Sequence, residues 1–231
     1  MNTTVWIHGA GLSPQTWNGR AYGITLELPG HGIQPRVQTP SVEAFAEELK
    51  PYLPDQFALV GHSLGGMISM VLAAELEGRV TKLVLAETAY NMRGKWTHRL
   101  GTWAACRAAK RRGPGAVAEM AAKGESLAAR EVLRNDVAQM QPEGFHDALT
   151  ATRFFDGSKY LNKLTMPTLI LAGKHNKRTH VQARDMARIL PNARLEMLDS
   201  GHFPHVDAPD AFFGEIEQFL AGEQAPALAA E

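Results

Sequence analysis

The sequence predicts an α/β fold: a mostly parallel, doubly wound sheet of about six strands with an inserted helical cap. Short runs rich in Val, Ile and Leu recur along the chain, as is typical of strands that are buried on both faces of a parallel sheet. Helical segments follow several of these runs, which gives the alternation of strand and helix in a doubly wound sheet. One long stretch between the fourth and fifth runs contains no strand-like segment and predicts the cap.

The predicted elements follow one another in the order that such a sheet requires. The strands are Thr4–His8, Ile24–Leu28, Phe57–Val60, Lys82–Ala86, Thr168–Ala172 and Arg194–Leu198. The helices are Ser41–Pro51, Leu64–Leu76, Val181–Leu190 and Pro209–Leu220. We expect Ser41 to cap the first of these helices, because a Ser hydroxyl can accept a hydrogen bond from a free backbone N–H in the first turn.

These elements divide the chain into a core and an insertion. Residues 1–87 and 165–220 form the predicted core, and residues 88–164 form the predicted cap. Ala, Arg, Glu and Leu dominate the cap segment, and glycines divide it into three or four short helices. The tail, residues 221–231, is rich in Ala, Glu and Pro after the last helix, so we expect it to be disordered.

The composition excludes several classes of protein. Of the 231 residues, 45% are hydrophobic and 21% are charged, and no apolar run approaches the roughly 20 residues of a membrane-spanning helix. No secretory signal is visible at the N-terminus, so we predict a cytoplasmic protein with no membrane partner. The single cysteine, Cys106, excludes an internal disulfide framework and a zinc cluster built from cysteines.

The charged residues are distributed unevenly. The net charge is zero, but the segment from Thr88 to Ala118 contains seven Lys or Arg and no Asp or Glu. A cluster of this kind can attract an anionic substrate or an anionic carrier of the substrate. It is too local to indicate a nucleic-acid-binding protein, and no recognised module of that class occurs. We therefore predict a small-molecule substrate, with no nucleic acid.

A serine motif lies at the point where a strand gives way to a helix. Gly61-His62-Ser63-Leu64-Gly65 fits the pattern G-x-S-x-G between the third predicted strand and the second predicted helix. Its glycines allow the tight turn that exposes the Ser oxygen, and the N-terminus of the helix favours developing negative charge. Ser63 is therefore the predicted nucleophile. The alternative is a serine that only caps the helix.

Two further loops are expected at the same edge of the sheet. His8-Gly9-Ala10-Gly11 follows the first strand, and its backbone would bring the N–H of Ala10 beside the N–H of Leu64. Two such donors form an oxyanion hole. His202 follows the last strand, at the edge where open α/β sheets bind their ligands, and is the predicted general base. The alternatives are a simple glycine turn and a loop histidine that binds backbone.

Several segments together resemble the α/β-hydrolase superfamily, particularly its small esterases with helical caps. The segments are His8–Trp17, Leu28–Gly32, Gly61–Gly66, Met166–Gly173 and Gly201–His205. The resemblance implies an acyl-enzyme on Ser63, proton transfer by His202, and an oxyanion hole formed by the backbone of Ala10 and Leu64. It implies no metal and no organic cofactor.

The sequence departs from this family at the third member of the triad. The family's acid usually lies just past the strand that matches Thr168–Ala172, and Asn176 occupies that position here. Glu87 ends the preceding strand at the same edge, where some members of the superfamily place the acid. The alternatives are a Ser-His dyad assisted by Asn176, or another carboxylate such as Asp199 or Asp207. Asp207 is also predicted to cap the helix that begins near Pro209.

The cap is expected to provide part of the substrate pocket. Four aromatic residues are predicted to line it: Trp17, Trp96, Trp103 and Phe203. Trp96 and Trp103 recur at helical spacing with Leu100, which indicates one apolar helix face. The alternative is a core-facing stripe beside a solvated basic face.

The predicted reaction is hydrolysis of a carboxylic ester or thioester that is anionic or carrier-bound. Two alternatives remain open. The same constellation serves C–C bond hydrolases and lactonases, and the neutral Asn176 is also compatible with a non-catalytic protein that binds a ligand on a hydrolase fold.

Overall fold

The computed structural model describes residues 3–92, 100, 107, 111 and 113–222. The predictions for Trp96, Trp103, Cys106, most of the basic segment and the tail beyond residue 222 lie outside these residues.

A single parallel sheet forms the centre of the described chain. Its strands are β1 (Thr3–Ile7), β2 (Ile24–Leu26), β3 (Phe57–His62), β4 (Val80–Ala86), β5 (Thr168–Gly173) and β6 (Ala193–Leu198). They lie in the order β2-β1-β3-β4-β5-β6, and every neighbouring pair is parallel. The predicted fold class is confirmed. From β1 the chain passes to β2 on one side, and it then returns to β3 on the other side of β1. Ligand sites of such sheets form at this change of direction, between β1 and β3.

Helices cover both faces of the sheet. On one face, α1 (Val42–Leu49) and α2 (Leu64–Glu75) pack in a buried cluster with a third helix, which we number α7 (Lys177–Ile189). On the other face lie a 3-10 turn, Pro14–Trp17, and the last helix, α9 (Pro209–Ala221). This arrangement is the doubly wound one that the sequence predicts.

Two helix starts test the sequence patterns directly. The predicted cap of α1 is confirmed, because the Ser41 hydroxyl accepts a hydrogen bond from the backbone N–H of Ala44 at 3.0 Å. The helix α7 begins at Lys177, four residues before the predicted start at Val181. Its first turn carries exposed Lys177 and Arg178, so the apolar periodicity does not reveal it.

Within the described residues, four further helices lie between β4 and β5. They are α3 (Pro114–Ala121), α4 (Leu127–Ala138), α5 (Pro142–Phe154) and α6 (Ser158–Leu161), and α8 (Pro204–Asp207) follows β6. Side chains of α3, α4 and α5 share a buried cluster with Leu12 and Phe203, which follow β1 and β6. These helices therefore pack over the carboxyl edge of the sheet, as a cap does. The predicted boundaries of the cap, at residues 88 and 164, stay a prediction.

Among the described residues of the 88–164 segment, the only β-structure is an isolated bridge between Asn91 and Asp156. No helix within the described ranges has both the length and the apolar character needed to cross a membrane.

Close backbone contacts fix the position of α2 against β1 and β3. A Cβ atom on Gly65 would overlap the carbonyl oxygens of Ile7 and His8, and one on Gly61 would overlap the carbonyl of Gly65. Glycine is required at both places because no side chain fits between these backbones. The first turn of α2 is thereby held against the end of β1, which brings the residue between β3 and α2 next to the loop after β1.

Three of the buried histidines in this framework have lowered pKa values. Burial and, second, the charge of His8 lower the pKa of His31 to about 3, and burial and the charge of His202 lower the pKa of His205 to about 3. Burial, followed by the charges of His205 and His202, also lowers the pKa of His62. All three side chains are therefore neutral in the native protein at neutral pH.

Because their native pKa values lie below the unfolded value of about 6.5, these histidines make the fold sensitive to acid. Below that pH the unfolded chain binds protons that the native chain does not. The contribution of these histidines to the free energy of unfolding is therefore complete above about pH 6.5 and is lost as the pH falls toward 3. Each histidine contributes a slope of about 1.4 kcal/mol per pH unit below about pH 5.5, so the three together give a slope of about 4 kcal/mol per pH unit.

Urea unfolding at pH 7.5, 6.5, 5.5 and 4.5 measures this slope. A His205→Gln variant should show a slope smaller by about 1.4 kcal/mol per pH unit, whatever its stability at pH 7.5. An unchanged slope in this variant would contradict the assignment of His205.

Candidate active site

Ser63 occupies a strained turn between β3 and α2. Its backbone angles, φ 53° and ψ −115°, lie in a region that residues other than glycine rarely adopt. Hydrogen bonds to both peptide groups of Ser63 hold the turn. The N–H of Ser63 donates to the carbonyl of Ala86 at 2.9 Å, and the Thr88 hydroxyl donates to the carbonyl of Ser63 at 2.7 Å. Strain of this kind is typical of functional sites, where the surrounding structure compensates for its cost.

His202 lies on the loop between β6 and α8 and points at Ser63. Its Nε2 atom is 3.0 Å from the Oγ atom of Ser63, and its Nδ1 atom is 3.0 Å from Oε2 of Glu87. The imidazole is partly accessible, with 29% of the side chain exposed, whereas the Glu87 side chain is fully buried. The three predicted residues Ser63, His202 and Glu87 are thus in line at hydrogen-bonding distances.

Glu87 follows directly after β4 and its carboxylate receives several hydrogen bonds. Its φ of 47° lies in the left-handed region that residues other than glycine rarely adopt, and its N–H donates to the carbonyl of Leu171 at 2.8 Å. The N–H of Gly173 donates to Oε1, and the Thr179 hydroxyl lies 3.2 Å from Oε2. With His202 and Asn176, these donors meet the requirement that a buried carboxylate has for hydrogen-bond partners.

Asn176 lies where the resemblance places an acid, and it contacts both neighbours. Its Nδ2 atom is 2.5 Å from Oε2 of Glu87 and 3.1 Å from Nδ1 of His202. When His202 donates from Nδ1, the two nitrogens are both donors and cannot bond to each other, so they converge on the same Glu87 oxygen. Asn176 is thus placed as a donor to the carboxylate.

The other two candidate carboxylates have partners elsewhere. Oδ1 of Asp199 is 2.8 Å from Nε2 of the exposed His175. Asp207 accepts from the N–H of Gly201 at 2.9 Å and from the Ser126 hydroxyl at 2.5 Å. The prediction that Asp207 caps the following helix is wrong, because the N-cap of α9 is Ala208 and no side chain caps it.

The predicted oxyanion loop passes directly beside Ser63. A Cβ atom on Gly9 would lie 3.1 Å from Cβ of Ser63, so the absence of a side chain allows this approach. The loop is fixed further along by the N–H of Gly11, which donates to Nε2 of His31 at 3.2 Å. Leu64 is the first residue of α2, where backbone N–H groups have no partner within the helix.

The backbone of His202 is held on both sides. The Nε2–H of buried His62 donates to its carbonyl at 2.7 Å, and Oε2 of Glu125 accepts from its N–H at 3.0 Å. Sequence reasoning missed Glu125, which lies in the cap segment, as well as Thr179 and the Gly173 N–H. No local pattern marks these residues, because each acts through a tertiary contact.

The predicted pocket residues are placed differently from one another. Phe203 is 6% exposed and packs with Leu12 and the helices α3 to α5 near His202. Trp17 is 1% exposed and packs against Trp6 and His205 on the face of the sheet that α9 covers. This corrects its assignment to the pocket, because its ring has no free surface for a substrate.

Among the described residues, no group of three or more His, Cys, Asp or Glu side chains could hold a metal ion.

The sequence is similar to a known family of proteins over most of its length. Residues 4–215 match the model of the alpha/beta hydrolase family. The pimeloyl-[acyl-carrier protein] methyl ester esterase of Aromatoleum aromaticum is 28% identical, over 94% of this chain and 98% of that protein. The sn-1-specific diacylglycerol lipase ABHD11 of Mus musculus is 24% identical, over 94% of this chain and 80% of that protein.

Among solved structures, MenH from S. aureus superposes with a TM-score of 0.83 at 22% identity, covering 97% of this chain and 95% of that one. That likeness concerns the fold alone. Because the family model spans nearly the entire described sheet and both flanking helical layers, the chain belongs to the α/β-hydrolase family.

Proposed function

We propose that this chain is a serine esterase in which Ser63 is the nucleophile, His202 the general base and Glu87 the acid. The observation that carries this proposal is the line of two 3.0 Å contacts, from Ser63 Oγ to His202 Nε2 and from His202 Nδ1 to Glu87 Oε2. The strained turn at Ser63 and the matching family model support it. A serine that only caps a helix requires neither the strain nor the aligned imidazole.

The reaction follows from this geometry in two halves. Ser63 Oγ attacks the ester carbonyl while its proton moves to Nε2 of His202, and the resulting imidazolium then gives that proton to the leaving alcohol. The Ser63 acyl-enzyme remains. Water then attacks the acyl carbonyl with the same base, and the second intermediate collapses to release the carboxylic acid and restore the Ser63 hydroxyl.

The N–H groups of Ala10 and Leu64 are the proposed donors to the oxyanion in both halves. Leu64 presents its N–H at the start of α2, and the glycine beside Ala10 lets the loop approach Ser63. Donors that are already oriented stabilise the developing charge without reorganisation, and loss of one such donor costs on the order of 100 to 1,000-fold in rate.

Glu87 supports the imidazolium, and Asn176 supports Glu87. The carboxylate is fully buried and contacts the ring nitrogen that faces away from Ser63. It therefore fixes the tautomer in which Nε2 is free to accept the Ser63 proton. Asn176 is neutral and donates to the same oxygen, so it holds the carboxylate without adding a second negative charge.

The proposed substrate is a carboxylic ester on an acyl chain that ends in, or is carried by, an anionic group. Support comes from the Aromatoleum aromaticum relative, which is a pimeloyl-[acyl-carrier protein] methyl ester esterase. The seven cationic residues between Thr88 and Ala118 support an anionic partner from the sequence side.

The nucleophile is tested with Ser63→Ala. Hydrolysis of para-nitrophenyl acetate and butyrate should fall at least about 1,000-fold, because the acyl-enzyme cannot form. Ser158→Ala, in helix α6, is the matched Ser-to-Ala control and should keep the parent rate. Equal rates in Ser63→Ala and the parent would favour a non-catalytic, ligand-binding protein.

The acid is tested by exchanging the two neighbouring side chains. Glu87→Gln should lower kcat/KM for para-nitrophenyl butyrate about 1,000- to 10,000-fold, since the imidazolium loses its counter-charge. The double variant Glu87→Gln/Asn176→Asp returns a carboxylate to the ring from the neighbouring position and should recover at least about 10-fold.

The single variant Asn176→Asp places two carboxylates side by side and should be slower than the parent, because like charges that share a site disfavour each other. Asp199→Asn is the control with an exposed carboxylate and should be unaffected. Full activity in Glu87→Gln would show that Glu87 is not the acid.

The anionic carrier is tested by reversing charge in the basic segment. The triple variant Lys110→Glu/Arg111→Glu/Arg112→Glu should lower kcat/KM for a methyl ester on acyl carrier protein at least about 10-fold at 50 mM salt, and less at 500 mM salt. Hydrolysis of para-nitrophenyl acetate is the internal control and should change little. A parental rate on the carrier-borne ester would contradict the role of this segment.

A further inference from the structure

We propose that Glu125, from the cap segment, is a positioning residue for His202. This inference rests on the proposed function, because it assigns a role to the residue that holds the base. Glu125 lies just before α4, and its Oε2 atom accepts a hydrogen bond from the backbone N–H of His202 at 3.0 Å. This contact is with the backbone, so Glu125 acts on the base through the peptide group of His202.

The residue before His202, Gly201, lies directly against the Glu125 carboxylate. A Cβ atom on Gly201 would overlap the Glu125 carboxylate, so any other residue at this position would displace it. The preceding N–H in the same loop, that of Gly201, is also taken up by a carboxylate, Asp207 Oδ2 at 2.9 Å. Two successive N–H groups of the base loop are therefore fixed by acidic side chains.

Those two carboxylates belong to one connected cluster. The second oxygen of Asp207 accepts from the hydroxyl of Ser126 at 2.5 Å, and Ser126 also caps α4 by accepting from the N–H of Ala129 at 3.1 Å. The start of α4 is thus tied to the base loop by Glu125 directly and by Ser126 through Asp207. The cap and the base loop have a defined relative position here.

Glu125 is itself held by its own neighbourhood. Its N–H donates to the carbonyl of Ala122 at 2.9 Å, and its carbonyl accepts from Nε of Arg130 at 3.0 Å. At the other end of α4, buried Asp136 accepts from the N–H of Ser13 at 2.8 Å, in the loop that contains Ala10, one of the two proposed oxyanion donors. One helix therefore contacts both loops whose relative position the reaction depends on.

The rate of the proposed reaction depends on the position of His202 relative to Ser63. His202 must keep Nε2 within reach of Ser63 Oγ through acylation and deacylation, and an error of about 1 Å in a reacting group can cost on the order of 100-fold in rate. His62 holds the carbonyl of the His202 peptide from the core, and Glu125 holds its N–H from the cap. Loss of Glu125 leaves one side of this peptide without its partner.

Three substitutions separate the hydrogen bond from the charge. Glu125→Gln keeps an oxygen at the same reach and removes the charge. Glu125→Asp keeps the charge and shortens the side chain, so that its carboxylate no longer reaches the His202 N–H. Glu125→Ala removes both. Glu131→Ala is the matched control, because it changes an exposed glutamate on the adjoining helix α4.

Two measurements follow these variants: kcat and KM for para-nitrophenyl butyrate, and the rate at which a fluorophosphonate probe modifies Ser63. In Glu125→Ala and Glu125→Asp, kcat and the rate of labelling should fall about 10- to 100-fold, with KM within about threefold of the parent. Glu125→Gln and Glu131→Ala should stay within about threefold in all three quantities. Thermal unfolding verifies that each variant is folded.

The outcomes are distinct. Parental kcat in Glu125→Asp overturns the positioning role, and so does a loss in Glu125→Gln as large as that in Glu125→Ala, since the charge would then be what matters. Should Glu125→Ala fail to fold, the comparison of the Asp and Gln variants decides alone. A parent protein that the probe does not label at Ser63 would instead overturn the proposed function.

Discussion

The buried carboxylate of Glu87 is the interaction on which the arrangement of the site depends. A carboxylate with a fully buried side chain is stable only when donors surround it, because removal of a charge from water is costly. Here the donors come from different elements: the end of β5 supplies Gly173, the start of α7 supplies Asn176, and the base loop supplies His202. Satisfying one charge therefore fixes three segments relative to β4.

This dependence explains how an asparagine can occupy the position of an acid. The strands β4 and β5 are parallel neighbours, so the residues that follow them reach the same space at the carboxyl edge. A carboxylate from either strand end can approach His202 Nδ1, and the other position then suits a neutral donor. Two carboxylates there would repel each other, whereas Asn176 contributes a hydrogen bond to the one that is present.

Sequence patterns predict the sheet and its edge because these follow from local rules. Runs of buried apolar residues identify all six strands, and β3 and β5 run only one or two residues longer than predicted. The turn at Ser63 and the loop at His202 follow from their places after strands. The position of Trp17 could not be predicted in this way: it lies near the end of a short 3-10 turn, and only packing on Trp6 shows which face it joins. Likewise the contacts of Thr179 and Glu125 join segments that are distant in the chain.

The way in which the His202 peptide is held also limits the chemistry of its supports. His62 can donate to the carbonyl of His202 from Nε2 as a neutral ring, and burial keeps it neutral by lowering its pKa. A second positive charge next to the imidazolium that forms on His202 would oppose proton transfer from Ser63. A neutral donor on the core side and an anionic acceptor, Glu125, on the cap side avoid that conflict. Neither support therefore adds a positive charge beside the base, and the role of Glu125 is to hold the His202 peptide in place.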